Sequence, residues 1–153
     1  MSTDFKTKEI NNIMSSETFT YPLNVAMSAA WILGNYKGLN LKVIDVGDYT
    51  SIAQYFVIGS TTNNIQSLAI ADEIAKTAME YNQPIVSQEG KDGSDWVLLD
   101  LGNVIVHIFN ETARDKYALD DLWNKAPQIE IPNTYYHSAP ETVTNNGPQG
   151  NYF

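Results

Sequence analysis

Cysteine is absent from the chain. That excludes disulfides, thiolate metal sites and cysteine nucleophiles. Positive charge is scarce too: nine basic residues stand against 18 acidic ones, a formal net charge of −9. Arg114 is the single arginine, and Lys6, Lys8, Lys37, Lys42, Lys76, Lys91, Lys116 and Lys125 are scattered. Nucleic-acid binding rests on clustered cations that neutralise phosphates, so direct RNA or DNA binding is not expected. Histidine is limited to His107 and His137, without a metal-type His-x-x-x-His pair, and no metal or cofactor is expected. No apolar run approaches the length of a membrane span. The first 16 residues are polar and mixed in charge, unlike a signal peptide. The expected location is the cytoplasm, with no membrane partner.

What is present suits one domain. Hydrophobic residues make up 43% of 153, enough for a modest core. The pI of about 4.4 favours a basic partner protein, since opposite potentials steer encounter. The same charge could serve solubility alone, and charge does not decide between the two.

Residues 1–20 read as a polar lead-in, in part helical. Residues 21–125 read as the folded domain. Leu23, Ala26, Met27, Ala30, Trp31 and Leu33 recur at the spacing of an amphipathic helix that ends near Gly34–Gly38. Strands are expected at 41–46 and 55–58. Thr61-Thr62-Asn63-Asn64 starts a helix that runs to Tyr81, with Asn63 and Gln66 at capping-box spacing. Pro84–Ser87 begins a third strand, and the strand–helix–strand order predicts a parallel crossover. Residues 89–93 form a polar loop. Two further strands, 96–100 and 104–109, are joined at Leu101-Gly102-Asn103, and a helix is expected over 111–125, with Ala113, Tyr117, Leu119, Leu122 and Trp123 as its apolar contacts. From residue 126 the composition shifts. Four of the six prolines lie there, and 126–153 reads as a loose tail. The expected architecture is α/β, a mixed sheet of about five strands flanked by helices.

The two joined strands carry the sharpest inference. With Gly102-Asn103 as a two-residue turn, Trp96 opposes Phe109, Leu98 opposes His107, and Asp100 opposes Ile105. Alternation then puts Trp96, Leu98, Asp100, Ile105, His107 and Phe109 on one face. Val97, Leu99, Leu101, Val104, Val106 and Ile108 fall on the other, a uniformly aliphatic core face. The mixed face suits a partner interface anchored by tryptophan, or it lies under helices with Asp100 and His107 bonded inside.

Catalytic readings are weaker. Asp92, Asp95 and Asp100 cluster with Glu89 and could in principle hold Mg²⁺. Gly59-Ser60 stands where nucleotidyltransferases carry a Gly-Ser, but the Asp-x-Asp pair their metals need is missing. A helix start there could still attract an anion.

These residues together resemble the Iojap-type ribosomal silencing factors. The matching pieces are Val43-Ile44-Asp45-Val46, Tyr55-Phe56-Val57-Ile58 and Ile70-Ala71-Asp72. The most specific stretch is Glu89-Gly90, Asp95 to Gly102, and Val104-Ile105-Val106-His107. It closes with Arg114, Tyr117, Leu119 and Leu122-Trp123. The resemblance implies a nucleotidyltransferase-like fold without catalytic acids. It implies binding to ribosomal protein fourteen of the large subunit, where the bound factor blocks subunit joining and represses translation when nutrients are scarce. A role in large-subunit maturation and a homodimeric state are implied as well. Carried over by position, Trp96, Asp100 and Leu101 match the family's contact surface, with Glu89 and Asp95 as neighbouring candidates. Gln54 replaces the family's usual Asp, and Ser60-Thr61-Thr62-Asn63 departs from its Thr-Gly-Thr-Ser turn. Two other classes stay open at this point: a metal-dependent nucleotidyltransferase or hydrolase using Asp95 and Asp100, and a dimeric scaffold without ribosomal links.

Overall fold

A computed structural model describes residues 3–136. His137 and the rest of the tail lie outside the described residues. The elements run α1 (Thr3–Met14), α2 (Leu23–Asn35), β1 (Leu39–Asp45), β2 (Tyr55–Thr61), α3 (Asn64–Glu80), β3 (Ser87–Glu89) and β4 (Trp96–Asp100). They continue as β5 (Val104–Asn110), α4 (Glu111–Tyr117), α5 (Leu119–Leu122), β6 (Gln128–Ile129) and a 3-10 turn at Asn133–Tyr135.

The strands form one mixed sheet in the order β3-β4-β5-β2-β1-β6. It has six strands rather than about five, because short β6 adds an edge that was not expected; the third strand is present but lies at Ser87–Glu89, later than its expected start at Pro84. β2 and β5 pair in parallel along their whole length at the centre, and the other neighbours are antiparallel. The expected crossover is present: β3 runs the same way as β2, but two strands sit between them.

Alternation along the strands divides the apolar residues into two layers. Val43, Val57, Val97, Leu99, Leu101, Val104, Val106 and Ile108 point to one side, under α1, α2 and α3. Ile44, Phe56, Ile58, Ile105 and Phe109 point to the other, where Ala113 of α4 and Leu119 of α5 cover them. Both faces of β2 and β5 are therefore buried, which explains their near-continuous apolar sequences.

α2 is not amphipathic as its spacing suggests. Every residue from Asn24 to Gly34 is buried, because the sheet, α1, α3 and the 133–135 turn surround it. α1 belongs to the same core: Ile10 and Ile13 are buried, and Lys6 pairs with Glu73 of α3. The lead-in is thus helical over most of its length and packed. α3 starts as expected, with the Asn63 side chain accepting from the Gln66 N–H at 2.8 Å. The reciprocal half of a capping box is not made, and Gln66 instead donates to the Tyr36 carbonyl.

Two further expectations need correction. The segment 111–125 is not one helix. Ala118 adopts a left-handed conformation (φ 49) and divides it into α4 and α5. The loose tail does not begin at 126 either. Ile129 and Gln128 pair with β1, the Pro127 carbonyl accepts from Asp45, and Tyr135 is buried against α2. Edge backbone groups of β1 need partners, and this proline-flanked strand supplies them.

Candidate functional site

The hairpin register agrees with the sequence reading at every position. Trp96 pairs with Phe109, Leu98 with His107 and Asp100 with Ile105. The Leu101 N–H donates to the Val104 carbonyl at 2.8 Å, and Gly102 takes φ +87 in the two-residue turn. A side chain there would strain the backbone.

The mixed face is half covered. Its inner residues on β5, Ile105, His107 and Phe109, are buried. Its outer residues on β4, Trp96, Leu98 and Asp100, are half-buried. The two strands differ: Ala113 of α4 and Leu119 of α5 cover the β5 residues, and β4 is left half-open. β3 extends the open part. Glu89 pairs with Leu98 and Ser87 with Asp100, so Glu89 is exposed beside the half-buried leucine.

Trp96 is the centre of an aromatic cluster. Its ring lies 4.8 Å from Phe109 and 5.0 Å from Tyr117, centroid to centroid. Its Nε1–H donates to Nδ1 of His107 at 3.2 Å. Phe56 meets His107 edge-on at 4.8 Å and Trp123 at 5.1 Å. Burial lowers the His107 pKa to about 4, because a charged imidazole there would lose its hydration. Gly90 (φ +84) brings the preceding loop against this strand; a Cβ on it would lie 2.5 Å from the Trp96 carbonyl oxygen.

The remaining site candidates fall in different places. Asp100 closes the turn, its Oδ1 accepting the Gly102 N–H at 2.8 Å. Asp95 is held by two amides, Asn64 Nδ2 and Asn110 Nδ2, each 2.9 Å from its Oδ1. This knot ties the start of α3 and the cap of α4 to the mouth of β4. Leu101 stands apart. It is 1% exposed and packs in the aliphatic layer, because the tight turn preserves alternation. Its side chain takes no part in the Trp96 face.

The geometry weighs against paired-carboxylate chemistry. Asp95 and Asp100 are five positions apart along an extended strand, roughly 16 Å by strand rise. Carboxylates sharing a cation must each lie about 2–2.5 Å from it. No group of three or more His, Cys, Asp or Glu suited to a metal occurs among the described residues.

Gly59-Ser60 has an internal occupant. Arg114, 8% exposed, donates to Ser60 Oγ at 2.8 Å and grips Asp120 with two bonds of 2.9 and 2.8 Å. Lys42 Nζ lies 2.9 Å from the same carboxylate. These cations hold the Asp120 pKa well below the carboxylate range. Arg114 thus takes the Ser60 hydroxyl, Asp120 pairs with Arg114 and Lys42, and at the start of α3 the Gln66 N–H is taken by Asn63.

Sequence reasoning missed one part of the surface. Tyr117 and Leu122 read as inner contacts of a single helix, yet they are 48% and 74% exposed. The break at Ala118 re-aims them, and Tyr117 then borders Trp96. The one available signal was Asp120-Asp121, acids suited to a helix first turn. The segment that carries the face is acidic in sequence: from Glu89 to Asp121 it has eight acids and three bases.

No helix among the described residues is long and apolar enough to cross a membrane. A family model described as "Ribosomal silencing factor during starvation" matches residues 21–151. The chain is 40% identical over 93 residues to ribosomal silencing factor RsfS of Halalkalibacterium halodurans, which is 61% of this chain and 75% of the relative. It is 33% identical over 87 residues to mouse "Mitochondrial assembly of ribosomal large subunit protein 1", 55% of this chain and 38% of the relative. A crystal structure of a Chromobacterium violaceum protein superposes with a TM-score of 0.66 and 25% identity, covering 80% of this chain and all of the other.

Proposed function

Because the chain belongs to the family of ribosomal silencing factors that act during starvation, we propose that its Trp96 face docks on the large ribosomal subunit. The partner is ribosomal protein fourteen of that subunit. The bound chain then occupies the surface that meets the small subunit, and subunit joining and translation stop. This reading places the chain in the cytoplasm with the ribosomes, where the free form is a homodimer.

The observation that carries it is the half-open face itself. Trp96 rests on Phe109 and Tyr117 and is half-buried, an arrangement that suits an interface anchor. Glu89, Asp100 and the surrounding acids favour a basic protein surface. Leu98 supplies apolar area between them. Silencing by occupancy makes and breaks no bond, and the separation of Asp95 from Asp100 leaves the metal-enzyme alternative without a seat. A role in large-subunit assembly is the second reading, favoured by the name of the mouse relative; the same face would serve both.

Co-sedimentation of the full chain with separate small and large subunits tests the proposal. Recovery with the large subunit alone is expected. Trp96→Ala should weaken it by about 2 kcal/mol or more, roughly thirtyfold. A Trp96→Ala protein that folds normally and binds large subunits like the parent refutes the assignment. Light scattering of the free chain reads the homodimer.

A further inference from the structure

We infer that His107 is present to aim Trp96 at its partner rather than to hold the fold. The inference rests on the docking reading above.

His107 accepts the Trp96 indole N–H on Nδ1, so its own proton sits on Nε2. Nε2 is buried and has no hydrogen-bond partner among the described residues. A buried donor left without a partner destabilises a fold. On folding grounds an aliphatic side chain would serve better at this position, between Phe56 and Phe109. What an aliphatic side chain cannot do is accept a hydrogen bond. Burial also keeps the imidazole neutral at physiological pH, so Nδ1 remains an acceptor there.

The acceptor has a geometric use. The ring torsion of tryptophan is broad and roughly two-fold. The two settings of the Trp96 ring that this torsion allows put Nε1 on opposite sides. Only one of them places Nε1 on His107, and it fixes which edge of the indole is turned outward. Holding an anchor in its bound setting removes the ordering cost from the docking step. His107 is thus a positioning residue, acting through Trp96.

Two variants of the full chain separate docking from folding. His107→Leu removes the acceptor and the unmatched donor together. His107→Asn puts a carbonyl oxygen near the place of Nδ1 but buries an amide in an apolar layer. For His107→Leu, large-subunit affinity should fall about three- to tenfold, while the melting temperature is unchanged or raised. The Trp96 indole N–H resonance, assigned with Trp96→Phe, should shift and exchange faster with solvent. For His107→Asn, affinity should stay within about twofold of the parent, although the melting temperature falls. This crossed order is one that a merely structural histidine does not give. A His107→Leu protein that binds like the parent overturns the inference. So does one that loses affinity and melting temperature together, with His107→Asn no better. If Trp96→Ala is crippled and His107→Leu is not, the positioning role alone fails. If Trp96→Ala binds normally, the docking reading fails and this inference falls with it.

Discussion

Replacing Asp120 by asparagine isolates the Arg114 clamp. The substitution keeps the shape and removes the charge that faces a guanidinium 8% exposed. Breaking one partner of a buried ion pair costs about 3–5 kcal/mol, because the other charge is left uncompensated. One fifth of the Asp120 side chain is exposed, and Lys42 can turn to solvent, so the lower end, about 3 kcal/mol, is expected. At ~2–4 °C per kcal/mol for a chain of this size, the melting temperature should drop by about 6–12 °C. Circular dichroism melts at pH 7 read this directly. The double variant Arg114→Met/Asp120→Leu should recover most of the loss, since neither charge is then buried. The pH dependence follows from the same clamp. Asp120 has a folded pKa below its ordinary value of 3.8. It therefore contributes stability that is present above that value and is lost as pH falls through the folded one. Asp120→Asn should abolish this acid limb below about pH 4. A variant within about 1 kcal/mol of the parent would mean the guanidinium is hydrated in the folded chain, and the reasoning from burial would be wrong.

Two other outcomes are expected. The His107 pKa is lowered from 6.5 to about 4, so the unfolded chain binds the extra proton between these values. Stability should decline by up to about 3 kcal/mol as pH falls from 6.5 to 4, and His107→Leu should flatten that slope in urea titrations. Ala118 occupies the left-handed region, where a Cβ is unfavourable. Ala118→Gly should raise stability by about 0.5–1 kcal/mol, measured by thermal melts.

The hairpin was legible because its register depends on local chemistry alone: a Gly-Asn turn and strict alternation. The same holds for α3, whose cap, Asn63, adjoins the helix in sequence. What was not legible depends on neighbours distant in sequence. α2 shows a helical stripe, yet its remaining faces are buried by α1 and the 133–135 turn, which no local pattern announces. β6 is two residues long and exists because β1 offers an unpaired edge. Ala118 carries no turn signature, and the Arg114–Asp120 pair that spans the break is not announced by any local pattern. The same break exposed Tyr117 and Leu122, so that part of the candidate surface was hidden with it. Leu101 was assigned to the contact surface by resemblance and to the core by alternation, and its burial follows the alternation.

One strand, β4, has two separate jobs on its two sides. Val97 and Leu99 bolt it to the domain, while Trp96, Leu98 and Asp100 look outward. Trp96 and Asp100 serve the fold as well, through the aromatic cluster and the turn, so under the proposed docking it is Leu98 that can follow a drifting partner at least cost to how the molecule is built. Changes at the odd positions have no such freedom.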